Sequence, residues 1–171
     1  MDVCKQLHRL VRICLPVVIL AGYCQWAAAG QLNLIVNGKA IHLGVPAGMT
    51  MNEENWGLGL QYDYELINDR WLPFTAVSGF IDSMENPSYY AGGGLMRRYP
   101  LGDHLGTALH LDVGGIAFLM TRKDFNDRQP FPGILPAFSL GNRKMALNLT
   151  YIPKVHPKLI PLWFFQLKVA L

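Results

Sequence analysis

The chain has 171 residues, room for one domain, and a formal net charge of +3. Hydrophobic residues make up 51% of it and charged residues only 16%. The three cysteines, Cys4, Cys14 and Cys24, all lie near the N-terminus. If that segment is removed on export, disulfides and thiol catalysis are excluded, and the lack of a basic stripe argues against nucleic-acid binding.

The N-terminal segment has the pattern of a secretory signal. Its parts are the basic residues Lys5, Arg9 and Arg12, the short apolar stretch Ile13–Ala21, and the small residues Ala27, Ala28 and Ala29 at a cleavage site. We therefore predict a cleaved signal peptide over 1–29 and a mature domain over 30–171, with cleavage lowering the formal charge to +1. A lipid-modified Cys24 is the weaker alternative, because Tyr23 spoils the spacing.

Apolar and polar residues alternate along short runs that turn residues separate. In the clearest run, Trp56, Leu58 and Leu60 alternate with small or polar residues. The pattern predicts eight strands, at 31–43, 55–67, 70–83, 88–99, 105–120, 133–141, 144–152 and 161–171. An even number of such strands is typical of a transmembrane β-barrel, so we predict an all-β, eight-stranded antiparallel transmembrane barrel.

A soluble lipocalin-type barrel is the alternative, and it requires the opposite pattern, with apolar side chains inside. Here the aromatic residues share the apolar face, whereas glycines and charged residues share the other face. Gln61, Asp63 and Glu65 would face the interior of a membrane barrel and would need polar partners there. His110 and Asp112 share an inward face and are expected to interact in the lumen. This distribution of apolar and polar residues between the two faces favours the membrane barrel.

The connections predict which residues meet at one end of the barrel. Short turns are expected at Asn68–Asp69, Leu101–His104 and Gly141–Arg143, and the longer connections at the opposite end. Strands 1 and 3 run in the same direction, so their ends, at His42 and at Asp82–Ser83, are expected at the same rim.

Three stretches resemble PagP, the family of outer-membrane lipid A palmitoyltransferases. They are NEENWGLGL (52–60), FIDSMENPSYYAGGG (80–94) and PGILPAFSLGNRKMALNLTYIP (132–153). The resemblance implies an eight-stranded barrel in the outer membrane that moves a palmitoyl chain from a phospholipid donor to a lipid A acceptor. It implies no cofactor and no metal, and we expect a monomer.

The resemblance also assigns roles to residues. It implies that His42, Asp82 and Ser83 are catalytic, that Gly94 forms the floor of an acyl pocket, and that Pro136 and Pro153 flank a lateral lipid entrance. Elementary chemistry agrees, because a histidine is the usual base for activating a hydroxyl, and proline interrupts strand pairing. The sequence leaves open whether Ser83 is a nucleophile, an oxyanion donor or a positioning group.

Some features depart from the family pattern. Asn55 replaces a proline, which puts a second lateral opening in doubt. Strict alternation from Leu32, Leu34 and Val36 would turn His42 toward lipid, unless a bulge at Asn37–Gly38 shifts the register. Two alternatives to an acyltransferase therefore stay open: a non-catalytic barrel with a structural or lipid-binding role, and a small-solute pore.

Overall fold

The computed structural model describes residues 30–104, 107–123, 125–154 and 160–171. These residues form eight strands: β1 (Gln31–His42), β2 (Glu54–Asp63), β3 (Trp71–Ile81), β4 (Pro87–His104), β5 (Thr107–Thr121), β6 (Phe131–Gly141), β7 (Met145–Ile152) and β8 (Leu162–Ala170). The predicted signal peptide, 1–29, lies outside the described residues. No helix among the described residues is long and apolar enough to cross a membrane.

The eight strands close into one barrel in chain order, with every neighbouring pair antiparallel. Closure comes from the pairing of β1 with β8, which runs from Asn33 opposite Ala170 to His42 opposite Leu162. The predicted eight-stranded antiparallel barrel is therefore confirmed. We call the end where β1, β3, β5 and β7 finish the upper rim, and the opposite end the lower rim.

The barrel is apolar outside and polar inside, as the alternation predicts. Trp56, Leu58 and Ile134 are 60%, 62% and 81% exposed on the outer surface. On the inner surface, His110 and Asp112 are buried. Because a soluble barrel would bury its apolar face, this distribution contradicts the lipocalin alternative and is typical of a barrel surrounded by lipid.

Ion pairs fill the lower half of the lumen. Arg98 donates two hydrogen bonds of 2.8 Å to the carboxylate of Asp112. The carboxylate of Asp63 accepts hydrogen bonds from Gln61 Nε2, at 2.6 Å, and from Lys168 Nζ, at 2.7 Å. The predicted need of Gln61 and Asp63 for polar partners is thus met, whereas Glu65 lies beyond the end of β2 and is exposed.

One predicted turn was wrong. Leu101–His104 belongs to β4, which continues to His104. The strand register shifts between Pro100 and Gly102, and Gly102 has a φ of +92°. This bulge lets β4 pass the proline without ending, because the extra residue is absorbed locally. The predicted turn at Asn68–Asp69 is present, with φ values of +52° and +56°.

Candidate active site

A bulge near the end of β1 turns His42 into the lumen. Both ladders of β1 shift register just after Asn37. Below the shift Asn33, Ile35 and Asn37 face inward, and above it Ala40 and His42 do. The bulge overturns the strict alternation that would have placed His42 toward lipid. It lies at the predicted position, Asn37–Gly38.

Hydrogen bonds inside the lumen hold the bulge in place. The side chain of Asn37 is fully buried; it donates to Ser78 Oγ, at 2.7 Å, and accepts from Gln166 Nε2, at 2.6 Å. Ser78 Oγ in turn donates to the carbonyl oxygen of Leu58, at 3.1 Å. Buried amide groups need such partners, so the network fixes the register on which the orientation of His42 depends.

At the upper rim the structure brings His42 and Ser83 together. The Nε2 atom of His42 lies 2.9 Å from Ser83 Oγ, and both residues are buried. An imidazole nitrogen at this distance from a hydroxyl is the arrangement in which histidine can take up the hydroxyl proton. The pair joins the end of β1 to the turn that follows β3, and these two strands are not paired with each other.

Asp82 has a different position from the one expected of a carboxylate that orients a catalytic histidine. Its Oδ1 atom accepts hydrogen bonds from the backbone N–H groups of Met84 (2.9 Å) and Asn86 (3.0 Å). Its Oδ2 atom accepts one from Ser88 Oγ, at 2.8 Å, and lies 3.6 Å from Arg122 Nε. Asp82 therefore shapes the turn that presents Ser83.

Asn52 and Glu53 lie beside the pair, although the sequence analysis assigned them no role. Asn52 donates its backbone N–H to the carbonyl oxygen of Ser83, at 3.0 Å, and its side-chain amide to that of Asp82, at 3.1 Å. Glu53 places Oε1 3.8 Å from Nδ1 of His42. Both belong to the stretch NEENWGLGL, so the motif itself was the available signal.

An apolar cavity lies in the lumen below the His42–Ser83 pair. It has a volume of about 90 Å³, and its lining includes Phe74, Phe80, Met96, Phe118, Leu135 and Phe164. Phe164 belongs to one buried cluster with Ala40, which faces inward two residues before His42 on β1, and Phe80 packs against this cluster. The upper part of the lining thus lies close to the pair along the barrel, and the lining suits a hydrocarbon chain.

Gly94 faces this lumen, with the ring of Phe74 lying directly over it. A Cβ atom at Gly94 would lie 2.5 Å from two ring carbons of Phe74 and closer still to the carbonyl oxygen of Gly115. The missing side chain therefore makes room for an aromatic ring that lines the cavity. Counting back along β4 from the buried Met96, Gly94 lies on the inner face and Gly93 on the outer face.

We expect Gly94→Ala to lower the free energy of unfolding by about 1–3 kcal/mol, because the added methyl group overpacks the lumen. Gly93→Ala is the matched control, since its Cβ would meet the carbonyl oxygen of Phe74 at 3.3 Å, a contact that a shift of a few tenths of an ångström relieves. Urea unfolding of the two refolded barrels measures the difference. Equal midpoints would contradict the close packing inferred at Gly94.

Pro136 and Pro153, which were predicted to flank a lateral lipid entrance, lie where the pairing of β6 with β7 ends. Pairing between these strands extends only from Ala137 opposite Thr150 to Gly141 opposite Ala146. Pro136 is the first residue of β6 beyond that pairing, and Pro153 follows the last residue of β7. Above Ala137, therefore, β6 is paired with β5 alone among the described residues.

Asn55 occupies the position of the missing family proline. It is buried, and its side-chain amide donates a 2.7 Å hydrogen bond to the carbonyl oxygen of Ile81 on β3. The first backbone pair between β2 and β3 is Gly57 opposite Phe80. The Asn55 side chain thus joins β2 to β3 beyond the end of their ladder.

The family model for PagP, described as an antimicrobial peptide resistance and lipid A acylation protein, matches residues 47–165. The chain belongs to the PagP family. The matched span contains Asp82, Ser83, Gly94, Pro136 and Pro153. His42 precedes it, so its place in the site depends on the contact with Ser83.

Relatives named lipid A acyltransferase PagP agree with the family match. The Bordetella pertussis protein is 36% identical over 104 residues, covering 61% of this chain and 54% of the relative. The Methylobacillus flagellatus protein is 33% identical over 104 residues, which again cover 61% of this chain and 54% of the relative. The chain spans about half the length of the curated relatives it matches.

The comparison with solved structures returns a match to the Yersinia pestis outer membrane protein Ail in a phospholipid bilayer nanodisc. It is 11% identical, with a TM-score of 0.44, and the match covers 83% of this chain and 99% of Ail.

Proposed function

We propose that the chain is an outer-membrane acyltransferase that moves a palmitoyl-type chain from a phospholipid to lipid A. The observation that carries the proposal is the 2.9 Å contact between His42 Nε2 and Ser83 Oγ above an apolar cavity. Membership of the PagP family and the names of its relatives supply the substrate class. The apolar outer surface supports a location within a bilayer.

In the proposed reaction His42 acts as the general base. Its Nε2 atom takes the proton of a hydroxyl group, and the hydroxyl oxygen attacks the ester carbonyl of the phospholipid. The ester C–O bond to glycerol then breaks, and the departing oxygen recovers the proton from His42. The products are acylated lipid A and a lysophospholipid. No cofactor enters this balance.

Ser83 is either the hydroxyl group that attacks the ester or the group that positions the lipid A hydroxyl next to Nε2 of His42. Attack by Ser83 would give lysophospholipid and an ester of Ser83 as an intermediate. The lipid A hydroxyl would then lose its proton to His42 and attack this ester, and the departing Ser83 oxygen would recover the proton. The intact mass of the protein after mixing with phospholipid alone distinguishes the two roles. A palmitoyl adduct that is absent from Ser83→Ala identifies the nucleophile, and an unchanged mass favours direct transfer.

The separation of β6 from β7 supports a lateral route for the donor lipid. Proline has no N–H to donate to a neighbouring strand, and Pro136 and Pro153 stand at the edges of the unpaired segment. An acyl chain passing between these strands would reach the cavity beside Leu135 and Ile152, which both line it. The hydrogen bond of Asn55 to Ile81 bridges β2 and β3, which argues against a second such route there.

The proposal predicts that lipid A from Gram-negative cells expressing the chain gains the mass of one acyl chain. Mass spectrometry of extracted lipid A measures this, with cells expressing Ser83→Ala as the control. Unchanged lipid A from cells that contain the folded barrel would favour the non-catalytic alternative. A conductance step in planar bilayers would instead support the pore.

A further inference from the structure

Only one of the two ring nitrogens of His42 has a hydrogen-bond partner among the described residues. Nε2 meets Ser83 Oγ, whereas Nδ1 is buried and has no hydrogen-bond partner within the described part of the chain. Only 1% of the His42 side chain is exposed. Buried polar atoms almost always have a partner, so an unsatisfied Nδ1 in a candidate active site needs an explanation.

Among the described residues, the carboxylate within ion-pair distance of Nδ1 is that of Glu53. Its Oε1 atom lies 3.8 Å from Nδ1 and also accepts a 3.4 Å hydrogen bond from the backbone N–H of His42. The Glu53 backbone is fixed by a 2.7 Å hydrogen bond from the N–H of Ala40 to its carbonyl oxygen. The Glu53 side chain is 40% exposed, so it has room to move the remaining ångström toward Nδ1.

The alternative carboxylate is occupied elsewhere. Both oxygens of Asp82 already accept hydrogen bonds, Oδ1 from two backbone N–H groups of its own turn and Oδ2 from Ser88 at the start of β4. Within the described part of the chain, the Oε2 atom of Glu53 has one ion-pair contact, to Lys39 Nζ at 3.9 Å. Of these two carboxylates, Glu53 is therefore the one that remains able to accept a hydrogen bond from the ring.

We propose that Glu53 is a positioning residue that keeps the proton of His42 on Nδ1. In this tautomer Nε2 carries a lone pair and accepts from the Ser83 hydroxyl. In the other tautomer Nε2 would donate to Ser83 and could not act as a base. A carboxylate beside the far nitrogen of a catalytic histidine fixes the tautomer in this way. The inference rests on the proposed function only where it predicts that the loss of Glu53 slows acyl transfer.

Nitrogen NMR of barrels labelled with ¹⁵N-histidine tests the tautomer directly, with the His42 signals assigned by their loss in His42→Gln. We expect the Nδ1–H form in the wild type and mainly the Nε2–H form in Glu53→Ala. Glu54→Ala is the matched control, because Glu54 is exposed and its Oε2 accepts from Trp56 Nε1, at 3.3 Å. Should Glu53→Ala fail to refold, the similarly sized Glu53→Met takes its place.

The kinetic readout is the rate of acyl transfer at saturating phospholipid. We expect kcat of Glu53→Ala to be about 10- to 100-fold below that of the wild type, with KM and the unfolding midpoint unchanged. The proposal would be overturned if His42 had the same tautomer in the wild type and in Glu53→Ala. It would also be overturned if His42 of the wild type carried its proton on Nε2. Because the NMR measurement needs no substrate, it still decides the proposal if no acyl transfer is found.

Discussion

Ser83→Ala and His42→Gln are each expected to lower the initial rate of acyl transfer at least about 100-fold, because each removes one member of the base–hydroxyl pair. Both changes are small in volume, and the barrel should refold with either one. The rate is measured as transfer of a labelled palmitoyl chain from phospholipid to lipid A in mixed micelles.

Matched controls exist elsewhere in the lumen. Ser139 is buried, and its hydroxyl has no partner among the described residues; His110 lies with its Nε2 atom 3.5 Å from Asp112 Oδ2. Ser139→Ala and His110→Gln should therefore transfer palmitate at a rate close to that of the wild type. If Ser83→Ala were as active as Ser139→Ala, the assignment of the site would be wrong.

Asp112→Asn is expected to cost about 3–5 kcal/mol of unfolding free energy, because it leaves the guanidinium of Arg98 in the lumen without its counter-ion. Asp112 is fully buried and receives two hydrogen bonds of 2.8 Å from Arg98. Urea unfolding of the refolded barrel, followed by tryptophan fluorescence, measures the loss.

Asp69→Asn is the control for this stability prediction. Asp69 is exposed in the turn after β2 and has a φ of +56°, which asparagine tolerates well. It should change the unfolding free energy by less than about 0.5 kcal/mol. In the double variant Arg98→Met, Asp112→Leu no charge is left unpaired, and much of the lost stability should return. A loss in the double variant equal to that in Asp112→Asn would contradict this explanation.

The barrel itself could be predicted from the sequence because lipid and a closed lumen impose a strict alternation. Runs such as Trp56–Leu60 carry that alternation in their side chains. The number of strands, and the side chains that face lipid or lumen, can therefore be predicted from local sequence. The continuation of β4 through Leu101–His104 was missed because a proline and a glycine there are typical of a turn. Only pairing with β5 shows that the bulge carries the strand onward.

The site was harder to predict than the fold. His42 faces the lumen only because a bulge shifts β1 by one residue, and the bulge depends on bonds from Asn37 to Ser78 and Gln166. Those partners are distant in sequence, so alternation alone could not place His42. Asn37–Gly38 was the one local signal.

The positions of Asp82 and Glu53 around His42 could not be predicted either. An Asp–Ser pair predicts a carboxylate next to the candidate catalytic groups, but the Asp82 carboxylate accepts hydrogen bonds from the backbone of its own turn. Glu53 approaches His42 from the connection between β1 and β2. This proximity depends on how that connection crosses the rim, which no spacing rule predicts.

The most direct test of the proposed acyl transfer uses purified barrel, unlabelled lipid A and a phospholipid with a deuterated palmitoyl chain. We expect mass spectrometry to find lipid A heavier by one deuterated palmitoyl group, together with an equal amount of lysophospholipid. With Ser83→Ala the deuterated lipid A should be lost. No deuterium in lipid A from the folded wild-type barrel, or equal labelling by Ser83→Ala, would contradict the proposed acyl transfer.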